Sequence, residues 1–147
     1  MRAFALVATA LLLAACDTTS PGVPDDLSGL DVSTLSHDPA ALVGTWALET
    51  STTSGQVGTP TTQPASGERL VFRENETIEI YRLVDGESTV VTVPYRVGRV
   101  DYGNGTQSDV PVLFLGERIV PFGIADGNTL YLDDRAVDGD LRGYRKQ

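Results

Sequence analysis

From residue 44 to the C-terminus, apolar side chains recur at every second position in short bursts, and pairs of turn-forming residues separate the bursts. Eight bursts stand out: 44–50 (GTWALET), 68–73 (ERLVFR), 77–83 (TIEIYRL), 88–100 (STVVTVPYRVGRV), 110–115 (VPVLFL), 118–124 (RIVPFGI), 128–132 (NTLYL) and 141–146 (LRGYRK). They are rich in Val, Ile, Thr, Tyr and Phe, which suit a pleated, half-buried surface. Leu70 and Phe72 alternate with Arg69, Val71 and Arg73; Ile78 and Ile80 alternate with Thr77, Glu79 and Tyr81. The separators include Glu74-Asn75, Asp85-Gly86, Asn104-Gly105, Gly116-Glu117, Asp126-Gly127 and Asp138-Gly139. Such residues reach positive φ at low cost and close hairpins. No segment after residue 16 carries a sustained 3.6-residue apolar stripe. The pattern predicts an all-β domain, either a sandwich or a small eight-stranded antiparallel up-and-down barrel. Consecutive strands joined by tight turns suit nearest-neighbour pairing, which favours the barrel. Pro94, Pro111 and Pro121 lack a ladder donor and are expected at edges, strand starts or bulges.

Carrying the alternation outward from Trp46 gives the expected interior: Leu48, Leu70, Phe72, Ile78, Ile80, Val91, Val93, Leu113, Phe122 and Leu130. In 88–100 and 118–124 both faces are apolar, so a one-residue bulge there exchanges inside for outside. The one long connection, 51–67 (STTSGQVGTPTTQPASG), is uncharged and rich in Ser, Thr, Gly and Pro. It is expected as a loop, and loops of that length usually have a function or lack order. Alternating strand directions place it at one end of the barrel with the turns at 85–86 and 116–117 and the loop at 133–140. The opposite end then carries the connections at 74–75, 101–109 and 126–127, together with the chain that leads into the barrel.

The N-terminus has a different grammar. Met1-Arg2 is followed by an uncharged apolar run to Ala15, with Thr9 its only polar residue. A spanning helix needs roughly 17–25 apolar residues, so residues 1–15 read as a secretory signal rather than a membrane span. The run ends in Leu13-Ala14-Ala15-Cys16, which resembles the bacterial lipobox. That resemblance implies cleavage before Cys16, a diacylglyceryl group on its sulfur and an acyl chain, palmitate in the simplest case, on its new amine. An ordinary signal peptide ending beside a buried cysteine is the plainer alternative. Cys16 is the only cysteine in the chain, and it stands where the lipobox requires one. Asp17 resembles the inner-membrane retention signal of enteric lipoproteins, a rule other bacteria do not follow; outer and inner membrane both stay open. Residues 16–41 then form the lipidated cysteine and an acidic tether, with Asp17, Asp25, Asp26, Asp31 and Asp38 its only charges. So little apolar surface does not offset the entropy of ordering, and the tether is expected to be disordered. Leu27, Leu30, Val32 and Leu35 leave room for one short helical turn that docks on the domain, and His37 is expected in solvent.

Residues 42–147 make the domain. Leu42-Val43-Gly44-Thr45-Trp46 resembles the opening Gly-x-Trp motif of the lipocalin family, preceded by a short helical turn for which 39–42 is suited. In that family the first interstrand loop is the long one, arching over an open mouth as 51–67 would. The resemblance also implies a basic residue near the end of the last strand packing over the tryptophan at the closed end. Arg145 is the nearest match and Arg142 the second. The resemblance rests on Gly44, Trp46 and Arg145, and on a layout shared with short lipocalin-like domains of bacterial lipoproteins.

Composition narrows the chemistry. Twenty acidic and 11 basic residues give a net charge of −9, which excludes a generic nucleic-acid binder. One cysteine excludes an internal disulfide and a multi-cysteine zinc site, and one histidine leaves acid–base chemistry thinly supplied. The Asp126-Gly-Asn128 and Asp138-Gly-Asp140 groups lack calcium-loop spacing and read as hairpin turns. No catalytic residue, metal site or cofactor is expected. The leading expectation is a monomeric, lipid-anchored protein of the bacterial cell envelope, its domain in the periplasm or at the cell surface, binding a small apolar or amphipathic ligand inside the barrel. The alternative is a non-enzymatic interaction or structural module whose barrel its own side chains fill. An eight-stranded interior admits either. An isomerase or hydrolase on the same barrel is a third reading, which inward carboxylates or tyrosines with shifted titration would favour.

Overall fold

Every apolar burst forms a strand in the structure, a computed structural model that describes residues 27, 29–53, 61–64, 67–102, 109–135 and 139–147. Nine strands follow one another: β1 Gly44–Thr53, β2 Thr61–Pro64, β3 Arg69–Phe72, β4 Thr77–Val84, β5 Glu87–Val100, β6 Val110–Leu115, β7 Arg118–Ala125, β8 Thr129–Asp133 and β9 Asp140–Lys146. From β3 to β9 each strand pairs antiparallel with the next, and β1 closes the ring between β3 and β9. The result is a closed eight-stranded antiparallel barrel. Asp85 and Gly86, at φ 53° and 83°, show why the turns read so clearly: both central residues of that hairpin need positive φ.

The ninth strand is β2, and it corrects the expected loop at 51–67. β1 runs on to Thr53, and β2 folds back along it with Thr53 opposite Thr61 and Thr50 opposite Pro64. β1 therefore serves β3 with its first half and β2 with its second. Residues 54–60, 65–66, 103–108 and 136–138 lie outside the described residues, so the 104–105 turn does as well. β5 divides its length in the same way. Glu87 to Pro94 pairs with β4, and Tyr95 to Val100 pairs with β6. Pro94 stands at that changeover, and Pro121 at the matching point where β7 leaves β6 for β8. A residue with no donor interrupts nothing there.

A bulge at Glu49 reverses the alternation on β1. Leu48 lies opposite Tyr144 and Thr50 opposite Gly143, so one β9 step spans two on β1. Beyond it Ser51 joins the inward row, opposite Arg142. The core is built from Leu42, Trp46, Leu48, Leu70, Phe72, Ile78, Tyr95, Leu113, Val120, Phe122, Ile124, Leu130, Leu132 and Tyr144.

The segment expected as tether is, from Leu27, part of the folded body. Leu27 and Val32 are buried against Tyr131 and Leu141 on the outside of β8 and β9, with Leu30 and Leu35 packed beside them. A 3₁₀ turn at Val32–Thr34, capped by the Asp31 carboxylate on the Ser33 amide, fixes the segment, and Ser36 bridges Ile124 on the edge that β6 leaves free. Gly123 makes the approach possible: a Cβ there would stand 2.6 Å from the Val32 carbonyl oxygen. His37, expected in solvent, is half-buried, with Nε2 3.1 Å from the Val32 carbonyl and its ring edge-on to Phe122. Three leucines and one valine bury apolar surface there, which offsets part of the ordering cost that composition alone assigns to the stretch. Residues 1–26, including the signal and Cys16, lie outside the described residues.

Candidate functional site at the barrel mouth

One end of the barrel is sealed. The helical turn Pro39–Leu42, capped by Asp38, places Leu42 in the opening with no exposed surface. Trp46 is equally buried and donates from Nε1 to the Leu42 carbonyl at 2.7 Å. The cation over its ring is Lys146, with Nζ 5.1 Å from the ring centroid and 2.9 Å from the Ala41 carbonyl. This replaces the expected partner, Arg145. Lys146 is the register partner of Trp46, whereas Arg145 lies opposite Ala47 and faces outward, 3.6 Å from the Glu49 carboxylate. Alternation permits only one of two consecutive residues to face the core. The glycine of the motif has its own cause: Gly44 sits at φ 133°, and a Cβ there would meet the Lys146 stem at 3.1 Å.

Above this plug the interior is filled. Of the expected lining, Leu70, Phe72, Ile78, Leu113, Phe122 and Leu130 expose 2 % or less of their surface, and Leu48 7 %. These residues pack the core. Only Ile80, Val93 and Val91 keep surface open. Val91, expected inside, is 54 % exposed. Its face is the predicted one, opposite Ile80. β5 runs past the 116–117 turn at that height, so no neighbour lies over it.

The other end is polar; the sequence pointed to Arg142 only as the second candidate over Trp46, and to Asp140 only as part of a turn, and both lie here instead. Glu68 faces in beside Leu48, whose amide donates to the Glu68 carbonyl at 2.9 Å. Its carboxylate accepts from the Tyr144 hydroxyl at 2.5 Å and from Arg82 Nε at 2.7 Å. Arg142 Nη1 lies 3.7 Å from the same carboxylate, and its Nε lies 4.0 Å from Asp140. Asp140 in turn accepts from the Ser51 hydroxyl. Across the barrel, Arg118 donates to Asp134, whose second oxygen, Oδ1, is buried with no hydrogen-bond partner among the described residues. An arc of alternating charge therefore runs Arg82, Glu68, Arg142, Asp134, Arg118. Each member continues the inward alternation of its strand toward the mouth: Arg82 after Ile78 and Ile80, Arg142 before Tyr144, Arg118 before Val120 and Phe122. That continuation is the signal sequence reading passed over, because these residues come from five separate places and form no local motif.

Burial sets the proton affinities. It pushes the Asp134 carboxyl above the usual range, and Arg118 and Arg142 offset only part of that. Burial, followed by the Glu68 charge and hydrogen bond, pushes Tyr144 far up, so the phenol stays a neutral donor. Among the described residues no three His, Cys, Asp or Glu side chains converge as metal ligands would.

The wall between the two ends of the arc is apolar. Ile80, Val91, Val93 and Leu115, on β4, β5 and β6, face inward near the mouth, with Arg82 and Arg118 flanking them. The mouth thus pairs an open aliphatic wall with half-exposed guanidinium groups. No protein-family model matches the chain, and no curated protein matches it.

Proposed function

We propose that the chain is a lipid-anchored, lipocalin-like protein of the bacterial cell envelope whose barrel binds a small amphipathic molecule at its mouth. The closed barrel is the frame. The observation that supports ligand binding is the divided mouth lining, since ligand sites combine apolar surface with a few placed polar groups. Because the deep interior is packed, the site is shallow: the apolar part of the ligand rests on Ile80, Val91, Val93 and Leu115. The anchor rests on Leu13-Ala14-Ala15-Cys16, and no catalytic group is assigned. Two measurements test the reading. Cys16→Ser should move the protein out of the membrane fraction or leave its signal uncleaved, and a processed Cys16→Ser protein that partitions with the membrane as the native one does ends the anchor reading. An apolar fluorescent probe should bind the full chain and lose most of its affinity in Val91→Asp; equal binding by that folded variant ends the mouth site. A second reading, an interaction module with a filled barrel, is favoured by Leu83, Val90 and Ile119, which stand 58, 51 and 43 % exposed on the outer face near the same end.

A further inference from the structure

We infer that the mouth selects amphiphiles with an anionic head, carboxylate or phosphate, held by Arg82 and Arg118; this rests on the mouth-binding reading above. The arc is not evenly presented to solvent. The side chains of Glu68 and Asp134 are 9 and 5 % exposed, whereas those of Arg82 and Arg118 are 45 and 48 % exposed. A molecule entering the mouth therefore meets cations whose counter-ions are set behind them.

Donor counting points the same way. A guanidinium carries five N–H groups in a fixed fork. Arg82 gives Nε to Glu68 and keeps both terminal amino groups; Arg118 gives Nη2 to Asp134 and keeps Nε and Nη1. Among the described residues no other side chain takes those donors. Each buried carboxylate holds its arginine in place, so little side-chain entropy is lost when a further anion is bound. The Nη1–Nη2 edge of Arg82 is a planar fork with two free donors that suits a carboxylate or phosphate, whereas Arg118 offers Nε and Nη1 as single donors on separate edges. Tyr144 and Arg142 are committed to Glu68 and Asp140, and they support the arc from beneath.

Position supplies the apolar half. Arg82 is next but one to Ile80 on the inward face of β4, and Arg118 lies opposite Leu115. Each arginine thus borders the aliphatic wall, and a single-chain amphiphile can lay its tail on Ile80, Val91, Val93 and Leu115 with its head on the adjoining guanidinium. Asp85, Glu87 and Glu117 lie in or beside the turns at this end. They are solvent-exposed and their repulsion is screened by salt, whereas the head group would contact the arginines directly.

The test uses the full chain carrying Cys16→Ser, purified without detergent, in equilibrium dialysis below the micelle concentration of each probe. The probes are decanoate, decyl phosphate, decyltrimethylammonium and inorganic phosphate. Both anionic amphiphiles should bind at least tenfold more tightly than the cationic one, and inorganic phosphate at least a hundredfold more weakly than decyl phosphate. Arg82→Gln and Arg118→Gln should each weaken anion binding several-fold. The double variant should remove the charge preference by weakening anion binding, while decyltrimethylammonium binds it at least as tightly as it binds the native chain. Arg82→Lys with Arg118→Lys, which keeps both charges, serves as the folding-matched control and should retain part of the preference. Equal binding of anionic and cationic amphiphiles, or full anion affinity in the folded double Gln variant, overturns the inference and leaves the mouth site standing. Binding of none of the amphiphiles overturns both. Inorganic phosphate bound as tightly as decyl phosphate would show that the tail contributes nothing and overturns the amphiphile assignment.

Discussion

The residues that close the barrel show how far a single position can be read. Gly44 and Trp46 were legible as a pair because each answers one local demand: a backbone at φ 133° and a large indole for the plug. The cation over the indole was not legible. Arg145 and Lys146 are adjacent, and which one faces in depends on the register against β1, which sets Lys146 opposite Trp46. Two outcomes follow. Trp46→Ala should lose roughly 3–5 kcal/mol by large-to-small substitution in a packed core, measured by urea denaturation with a probe other than tryptophan fluorescence. Gly44→Ala should also destabilise the protein, by about 1–3 kcal/mol for a non-glycine residue in that conformation. Combining it with Lys146→Ala removes the 3.1 Å contact but not the backbone strain. Recovery in the double variant should therefore be partial. Full recovery would mean that the contact alone demands glycine at this position.

At the scale of elements, strand existence was carried by period-two alternation and Asx-Gly turns, because each depends on a few neighbouring residues. What failed depends on partners distant in sequence. β2 has no apolar alternation of its own and exists because β1 outruns β3, leaving an edge for Thr61–Pro64 to fill. The Glu49 bulge arises where β1 must serve β3, β2 and β9 along one strand. Val91 was assigned the right face but not the right burial, since β5 has 14 residues and its neighbour β6 has 6. For the segment from Leu27 to Ser36 the tether gave way to the docked turn that Leu27, Leu30, Val32 and Leu35 also allowed: its composition is that of a tether, and only the outer faces of Tyr131 and Leu141 make its apolar residues worth ordering. Gly123 is the place to test that docking. Gly123→Ala sets a methyl against the Val32 carbonyl and the Leu35 side chain, at 2.6 and 2.7 Å, where backbone has to move. Amide exchange of residues 30–36 should rise sharply while β1 and β9 stay protected. If the segment keeps its protection, β7 rather than the strap has yielded, and the close approach is not what positions the strap.

Over the whole molecule, the barrel and the connections that share its mouth were legible and the charged lining of the mouth was not, for one physical reason. Apolar inward residues announce themselves by contrast with polar neighbours, but a charged inward residue at a strand end looks like any solvated charge. Glu68, Arg82, Arg118, Asp134 and Arg142 become an arc only when five strand ends are brought together by closure between β1 and β9. An arc of this kind has a cost that depends on pH. Asp134 is buried, its Oδ1 has no partner among the described residues, and its carboxyl holds its proton to higher pH than a solvated aspartate, near 3.9, would. Between that ordinary value and the raised one the folded chain binds more protons than the unfolded chain. The contribution of this group to stability therefore falls as pH rises through that window and stays reduced above it. Asp134→Asn has nothing to titrate, and Arg118, half-exposed, can be solvated without its carboxylate. The melting temperature of the Asn variant relative to the native chain should thus climb as pH is raised from about 4 to 7, with every other titration common to both chains. A difference that stays level across that range would mean that the Arg118 pairing fully offsets the burial of Asp134. A difference that falls with rising pH would mean that this carboxylate stabilises the mouth it lines.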